Sequence, residues 1–304
     1  MVRRCYVARA DGTGHPPSSR EPGVAVSFYR SKVAVITGAG SGIGRGLAVD
    51  LSRRGAHLAI SDVDAAGLAE TAEMCAPARV ETYRLDVADR AAVVDHAERV
   101  AADFGRVNMI VNNAGVAVAG PVEEMSFEDL DWLLGINLMG VLNGTMAFLP
   151  HLIESGAGHV VNVSSVFGFI APPTQSAYCT AKFGVRGFTE SLRQEMLIGR
   201  RPVTVHTVHP GGIQTNIARN ARMTSTERQS VDEMATEFDK VLRTTPARAA
   251  QIILRGVEKD KARILVGPDA YLFAGVPRII GARYQAVVGR AGRRNADRLG
   301  LGTT

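Results

Sequence analysis

The feature that most constrains this chain is a short apolar run that stops abruptly in glycines: Val33-Ala34-Val35-Ile36-Thr37, then Gly38-Ala39-Gly40-Ser41-Gly42-Ile43-Gly44. Five apolar or β-branched residues without a charge suit a strand buried on both faces, and such strands belong to parallel sheets. The glycines allow a tight strand-to-helix turn, and Leu47 to Arg54 reads as the helix that follows. The same alternation then repeats. Strands are predicted at Leu58–Ser61, Val80–Leu85, Val107–Asn112, His159–Val163, Val203–Val208 and Arg263–Val266. Helices are predicted at Ala65–Met74 and Arg90–Phe104, from Phe127 towards Ile153, from about Gln175 to Ile198, and near Ala247–Val257. This succession predicts an α/β fold: a Rossmann-type, doubly wound parallel sheet of about seven strands with helices on both faces.

The 304 residues and 46% hydrophobic content suffice for one large domain, here expected over 31–267. Residues 1–30 read as a flexible leader, and 268–304 as a helical extension that packs on the same domain or a neighbouring subunit. The formal charge of +5 sits at the two ends, so the sequence gives no basic face for nucleic acid. The N-terminus lacks an apolar signal region, and no run approaches the roughly 20 apolar residues of a membrane span. Cys5, Cys75 and Cys179 have neither disulfide nor metal spacing, which points to a reducing cytoplasmic setting. His206 and His209 lack partners at ligand spacing, so no metal site is expected.

A glycine turn between strand and helix can hold a dinucleotide pyrophosphate on backbone amides. The spacing of Gly38, Gly42 and Gly44 is GxxxGxG, not GxGxxG, and a turn without ligand would look the same. Asp62, closing the second strand eighteen positions after Gly44, adds a carboxylate able to bind both adenosine ribose hydroxyls. It would repel a 2′-phosphate, and neither Ser41 nor Val63 supplies a compensating arginine, so NAD is expected over NADP.

Tyr178 and Lys182 stand four apart on a predicted helix and share a face. A free phenol titrates near about 10, and a nearby ammonium favours the phenolate. Ser164 and Ser165 follow the strand ending at Val163, and Asn112-Asn113-Ala114-Gly115 ends the strand before it, both at the sheet edge where α/β proteins bind ligands.

With TGAGSGIG at 37–44, Asp86-Val87, NNAG at 112–115, Asn137, Ser165, Tyr178 to Lys182 and Pro210-Gly211, the chain resembles the short-chain dehydrogenase/reductase family over about residues 32–267. The resemblance implies that Ser165, thirteen residues before Tyr178, is catalytic, while Ser164 supports the turn. It implies that Asn137 holds a water in a relay with Lys182, that Asp86 touches adenine, and that Ile213 and Thr215 meet the carboxamide. Cofactor contacts are expected at Gly38, Ser41, Gly42, Ile43, Gly44, Asp62, Asp86, Val87, Asn113, Ala114, Gly115, Tyr178, Lys182, Pro210, Gly211, Ile213 and Thr215. Tyr178 would exchange the alcohol proton, Ser165 would bind the substrate oxygen, and Lys182 would lower the phenol pKa and hold the ribose. The implied activity is hydride transfer between NAD(H) and a secondary alcohol or ketone.

Phe167, Phe169, Ile170, Pro172 and Met223 are the pocket residues expected, favouring a lipophilic small molecule of steroid or terpenoid type. The resemblance further implies a homodimer or homotetramer, packed through Phe183, Phe188 and Leu192. The polar stretch Asn216–Lys240 reads as a lid. The apolar residues between Tyr271 and Val288 are expected to dock on the parent subunit or a neighbour, with contact to a membrane surface through the arginines as the third possibility. An NADP-dependent carbonyl reductase, a non-catalytic nicotinamide-binding regulator and a Rossmann-like methyltransferase remain as alternatives. The first differs in Asp62, and the last two would have no use for the Tyr–Lys pair.

Overall fold

The computed structural model describes residues 27–75, 77–215, 217, 220–224 and 244–290. Its elements follow the predicted alternation: β1 (Val33–Thr37), α1 (Gly42–Arg53), β2 (His57–Asp62), α2 (Ala65–Met74), β3 (Val80–Arg84), α3 (Arg90–Phe104), β4 (Met109–Asn112), β5 (Val118–Ala119), α4 (Phe127–Leu134) and α5 (Gly140–Glu154). Then come β6 (Gly158–Val163), α6 (Ser176–Ile198), β7 (Val203–Pro210), β8 (Arg222–Met223), α7 (Pro246–Glu258), β9 (Arg263–Val266) and α8 (Pro268–Ile280).

Seven strands form one parallel sheet in the order β3-β2-β1-β4-β6-β7-β9. Side chains alternate across it. Ala34 and Ile36 face Leu47, Leu51, Ile253 and Leu254 of α1 and α7. Val35 faces the other way, with Val100, Phe148 and Leu192 of α3, α5 and α6. The strand order reverses between β1 and β4, so the loops after these two strands diverge and leave a crevice at their carboxyl ends.

Local chemistry fixes where the helices start. Asp64 caps α2 by accepting from the amides of Ala66 and Gly67, Asp89 caps α3 through Ala92, and Thr245 caps α7 with Pro246 in its first turn.

Several expectations change. The helix predicted from Phe127 towards Ile153 is interrupted by a π-helical turn, Gly135–Met139. The full span Phe127–Glu154 is long and apolar enough to cross a membrane by length and composition, contrary to the reading of the sequence. Here it is a core helix, burying Leu133, Val141, Phe148 and Leu152.

The expected leader ends earlier than residue 30, because Tyr29 is buried and its phenol donates to the Leu254 carbonyl at 2.7 Å. Residues 1–26, including Cys5, lie outside the described residues. Within the expected lid, Arg222–Met223 pairs in parallel with Val118–Ala119. Residues 216, 218, 219 and 225–240 of that stretch lie outside the described residues, as do 241–243 and the tail from 291.

Phe188 and Leu192 pack into the chain's own core, leaving only Phe183 of the expected interface trio exposed. Likewise the outer side chains of α8 are not docked on the parent domain, since Tyr271, Leu272 and Ile279 are exposed.

Candidate active site

The glycine turn is held from below by polar bonds that its sequence did not announce. Thr37 Oγ1 accepts from the amides of Asn113 and Ala114 at 3.0 and 3.1 Å, and Asn113 Nδ2 donates to the carbonyls of Thr37 and Gly38, both at 3.0 Å. Asn113 is therefore a brace that locks the ends of β1 and β4 together. Gly38 has φ +65°, and a Cβ there would lie 2.7 Å from Ala114 Cα, so this position requires glycine. A side chain at Gly44 would run into the Gly38 carbonyl.

Ser41 stands at the N-cap of α1 and makes no side-chain cap. The first-turn amides at Gly42, Ile43 and Gly44 are thus left for an external acceptor, and a phosphate suits the positive end of the helix. Thr215 reaches the same turn, with its Cγ2 3.2 Å from where a Cβ on Gly42 would stand.

Asp62 closes β2 with one carboxylate oxygen accepting from the Gly40 amide at 2.8 Å and the other from Asp64 at 3.0 Å. Each oxygen retains acceptor capacity for a ribose hydroxyl. Arg45, which the sequence reading missed, lies under this turn. It donates to the carbonyls of Gly40 and Gly67 and to Thr71, and it pairs with Glu70 at 2.9 Å. Its guanidinium is engaged with α2 and does not offer a free cation beside Asp62.

Further along the edge, Asp86 accepts from the Ala88 amide at 2.9 Å, and Val87 is buried against Gly140. On the far side, Gly211 and Gly212 follow Pro210, and the Gly212 amide donates to Asp269 of α8 at 2.6 Å. Ile213 is buried and bridges to Thr244.

Ser165 after β6, Asn137 of the π turn, and Tyr178 and Lys182 of α6 come from three different segments and converge beside Gly115. A Cβ on Gly115 would stand 3.2 Å from Asn137 Oδ1 and 3.7 Å from Lys182 Nζ. Tyr178 is half-buried, with the Ser165 hydroxyl beside its phenol. Burial pushes the phenol up to about 12, against the lowering effect of that hydroxyl. Lys182 is buried, its Nζ donates to the Val163 carbonyl at 3.0 Å, and burial lowers its ammonium to about 8.

The expectation that Lys182 lowers the Tyr178 pKa is not met by the chain alone. The ammonium stands 5.5 Å from the centre of the phenol ring and is committed to a carbonyl, so burial dominates the phenol. Asn137 bonds the backbone of Val116 through both ends of its side-chain amide, close to Lys182. Ser164 has the supporting role expected of it, donating to the Lys182 carbonyl at 2.7 Å.

Of the expected pocket residues, Phe167 stands beside the site, its ring edge-on to Tyr178 at 6.1 Å. Pro172 and Met223 are half-buried. Phe169 and Ile170 are instead core residues. Phe169 lies on the His209 ring at 4.1 Å, and His209 binds the Ser165 carbonyl at 2.9 Å. Both His206 and His209 are thereby engaged in structural bonds, and no metal-binding cluster occurs among the described residues. A crevice of about 430 Å³ lined by Thr189, Glu190, Arg193 and Arg263 belongs to the seam of α6 and β9, about three turns along α6 from Tyr178.

A glycine turn at the switch point and a Ser–Tyr–Lys group at the same sheet edge define an oxidoreductase of the Rossmann class. Residues 32–226 match the family model described as short chain dehydrogenase, and the chain belongs to that family. It is 52% identical over 266 residues to the protein named as oxidoreductase SadH of Mycobacterium tuberculosis, covering 86% of this chain and 96% of SadH. It is 39% identical over 192 residues to D-threitol dehydrogenase of Mycolicibacterium smegmatis, covering 62% and 73% of the two chains. Among solved structures, a short-chain dehydrogenase/reductase from Burkholderia phymatum in complex with NAD superposes with a TM-score of 0.75 at 29% identity, over 91% of this chain and 97% of that one.

Proposed function

We propose that this chain is an NAD-dependent dehydrogenase that interconverts a secondary alcohol and its ketone, with a lipophilic small molecule as substrate. The observation that carries the reading is the Tyr178 phenol beside the Ser165 hydroxyl, with Lys182 buried one helical turn away. Two neighbouring hydroxyls can hold a carbonyl or carbinol oxygen, which is where charge develops in such a reaction.

In oxidation, Tyr178 Oη accepts the alcohol proton, and in reduction it returns one. Ser165 Oγ donates to the substrate oxygen and orients it. A dinucleotide bound at the glycine turn would supply the hydride chemistry. Lys182 holds its charge at the phenol ring's face, where it opposes the cost of forming a phenolate in a buried setting. The first-turn amides of α1 would hold the pyrophosphate, and Asp62 the adenosine ribose hydroxyls, which disfavours a 2′-phosphate there. The NAD carried by the related Burkholderia structure supports this cofactor.

The edge-on Phe167 ring and the half-buried Pro172 and Met223 support an apolar substrate. D-threitol, named for one relative, is a polyol, so the test includes one. Purified protein is assayed with NAD and NADP against lipophilic secondary alcohols and polyols, following the absorbance of the reduced cofactor. Turnover with NAD and an apolar alcohol is expected. Turnover confined to NADP, or to polyols, would overturn the corresponding part of the reading.

A further inference from the structure

Helix α8 is apolar on two faces, and the domain covers one of them. Ala270 and Ala274 point inward, and Asp269 ties the first turn to Gly212. On the outer side Pro268, Leu272, Gly275 and Ile279 recur at helical spacing with Tyr271 beside them. Tyr271 and Leu272 are each 62% exposed and Ile279 85%. A helix apolar all round is normally buried all round, so this face is made for contact. The chain then turns through Gly281–Arg283 into a helical stretch over 284–290. There Tyr284 is buried and its Oη accepts from the Ala171 amide at 3.2 Å, while Val287 is exposed.

Charge indicates what the face contacts. Arg278, Arg283 and Arg290 are exposed and make no ion pair among the described residues. No Asp or Glu occurs between 270 and 290, and from Arg278 to the end the sequence carries six arginines against Asp297 alone.

We propose that α8 and the segment through residue 290 form a docking surface for an anionic lipid bilayer, lying in the interface with Tyr271, Leu272, Ile279 and Val287 towards the acyl chains. Arginines flanking exposed apolar side chains fit a surface that is negative at the headgroups and apolar beneath. A second copy is a poorer occupant, because a two-fold contact of this face with itself sets its arginines against their own mates. The surface stands independently of the reaction proposed above. Through Tyr284 and Ala171 it also borders the loop that follows Ser165.

The test is sedimentation of the full-length protein with phosphatidylcholine vesicles, with and without about 30% phosphatidylglycerol, at low and high salt. The expected result is binding to the anionic vesicles that weakens at high salt. Each arginine near such a surface contributes a factor of about five, so R278Q/R283Q/R290Q should lower partitioning about a hundredfold. L272S/I279S should lower it about tenfold or more. The arginine variant changes only exposed, unpaired side chains, and an unchanged melting temperature separates loss of docking from loss of fold. Failure of the wild type to sediment with anionic vesicles at low salt overturns the proposal, as does binding indifferent to both variants. A drop in oligomeric state for L272S/I279S without vesicle binding by the wild type would make the face a subunit interface and overturn it equally.

Discussion

Asn137 bonds both polar groups of one peptide residue, its Oδ1 accepting from the Val116 amide and its Nδ2 donating to the Val116 carbonyl, each at 2.8 Å. The π turn supplies the geometry, turning a side chain inward that an uninterrupted α-helix would place elsewhere. The strand-end loop after Gly115 is fixed to the helix in this way, beside Lys182.

Asn137→Ala leaves the amide and carbonyl of Val116 without these partners. Two part-buried groups left unmade cost about 2–4 kcal/mol together, and Tm should fall by about 5–10 °C. Turnover should fall with it, because Val116 borders the site. Thermal melting with and without NAD checks this, and an unchanged Tm would show that water replaces the side chain.

Tyr178→Phe keeps the ring and removes the exchangeable proton. Turnover should fall by about 10²–10⁴-fold while NAD affinity is largely retained. Lys182→Ala should lower turnover and NAD affinity together, since its ammonium is expected to serve both the phenol and the ribose. Titration of NAD into each variant separates the two effects, and a Lys182→Ala protein with normal NAD affinity would remove the ribose role.

Asp62→Asn retains an acceptor for the Gly40 amide and removes the charge. The ratio of kcat/KM for NAD over NADP should fall about tenfold, as like-charge repulsion of a 2′-phosphate is lost. Asp62→Ala should narrow the preference too, with an added loss of stability from the unpaired turn amide. Equal use of both cofactors by the wild type would sink the assignment.

Four buried histidines, His96, His159, His206 and His209, make the protein acid-sensitive, since burial lowers each of them. Burial lowers His96 and His209 to about 4 and His159 to about 3, from an ordinary value of 6.5. Between these values the unfolded chain binds more protons than the folded one, so stability is complete above pH 6.5 and is lost as pH falls towards 4. Each histidine contributes a slope of up to about 1.4 kcal/mol per pH unit in that window. His96 packs edge-on between Tyr83 and Phe148. His96→Phe should therefore lower the slope by up to about 1.4 kcal/mol per pH unit while altering stability at pH 7 by under about 1.5 kcal/mol. Urea unfolding at pH 7, 6 and 5 measures both quantities.

Much of the architecture was determined by the sequence alone, because periodicity and turn chemistry are local. A short, β-branched apolar run ended by glycine, such as Val33–Thr37, suits a strand covered on both faces, and Asp64, Asp89 and Thr245 start their helices with side chains next to the amides they cap. The glycine turn, Asp62, and the Tyr178–Lys182 spacing were legible for the same reason.

Tertiary structure decided what depends on residues far apart in the chain. Thr37 and Asn113 lock the turn across a separation of 76 residues, and Arg45 under Gly40 joins α1 to α2. The π turn hid inside an apolar helical pattern, since one widened turn changes neither composition nor period enough to be read. Burial, too, is a property of the folded whole. Phe169, Phe188 and Leu192 read as surface or pocket residues but lie against the core. The same enclosure, rather than the neighbouring Lys182, sets the Tyr178 phenol at about 12, because the free energy of a charge depends on everything packed around it.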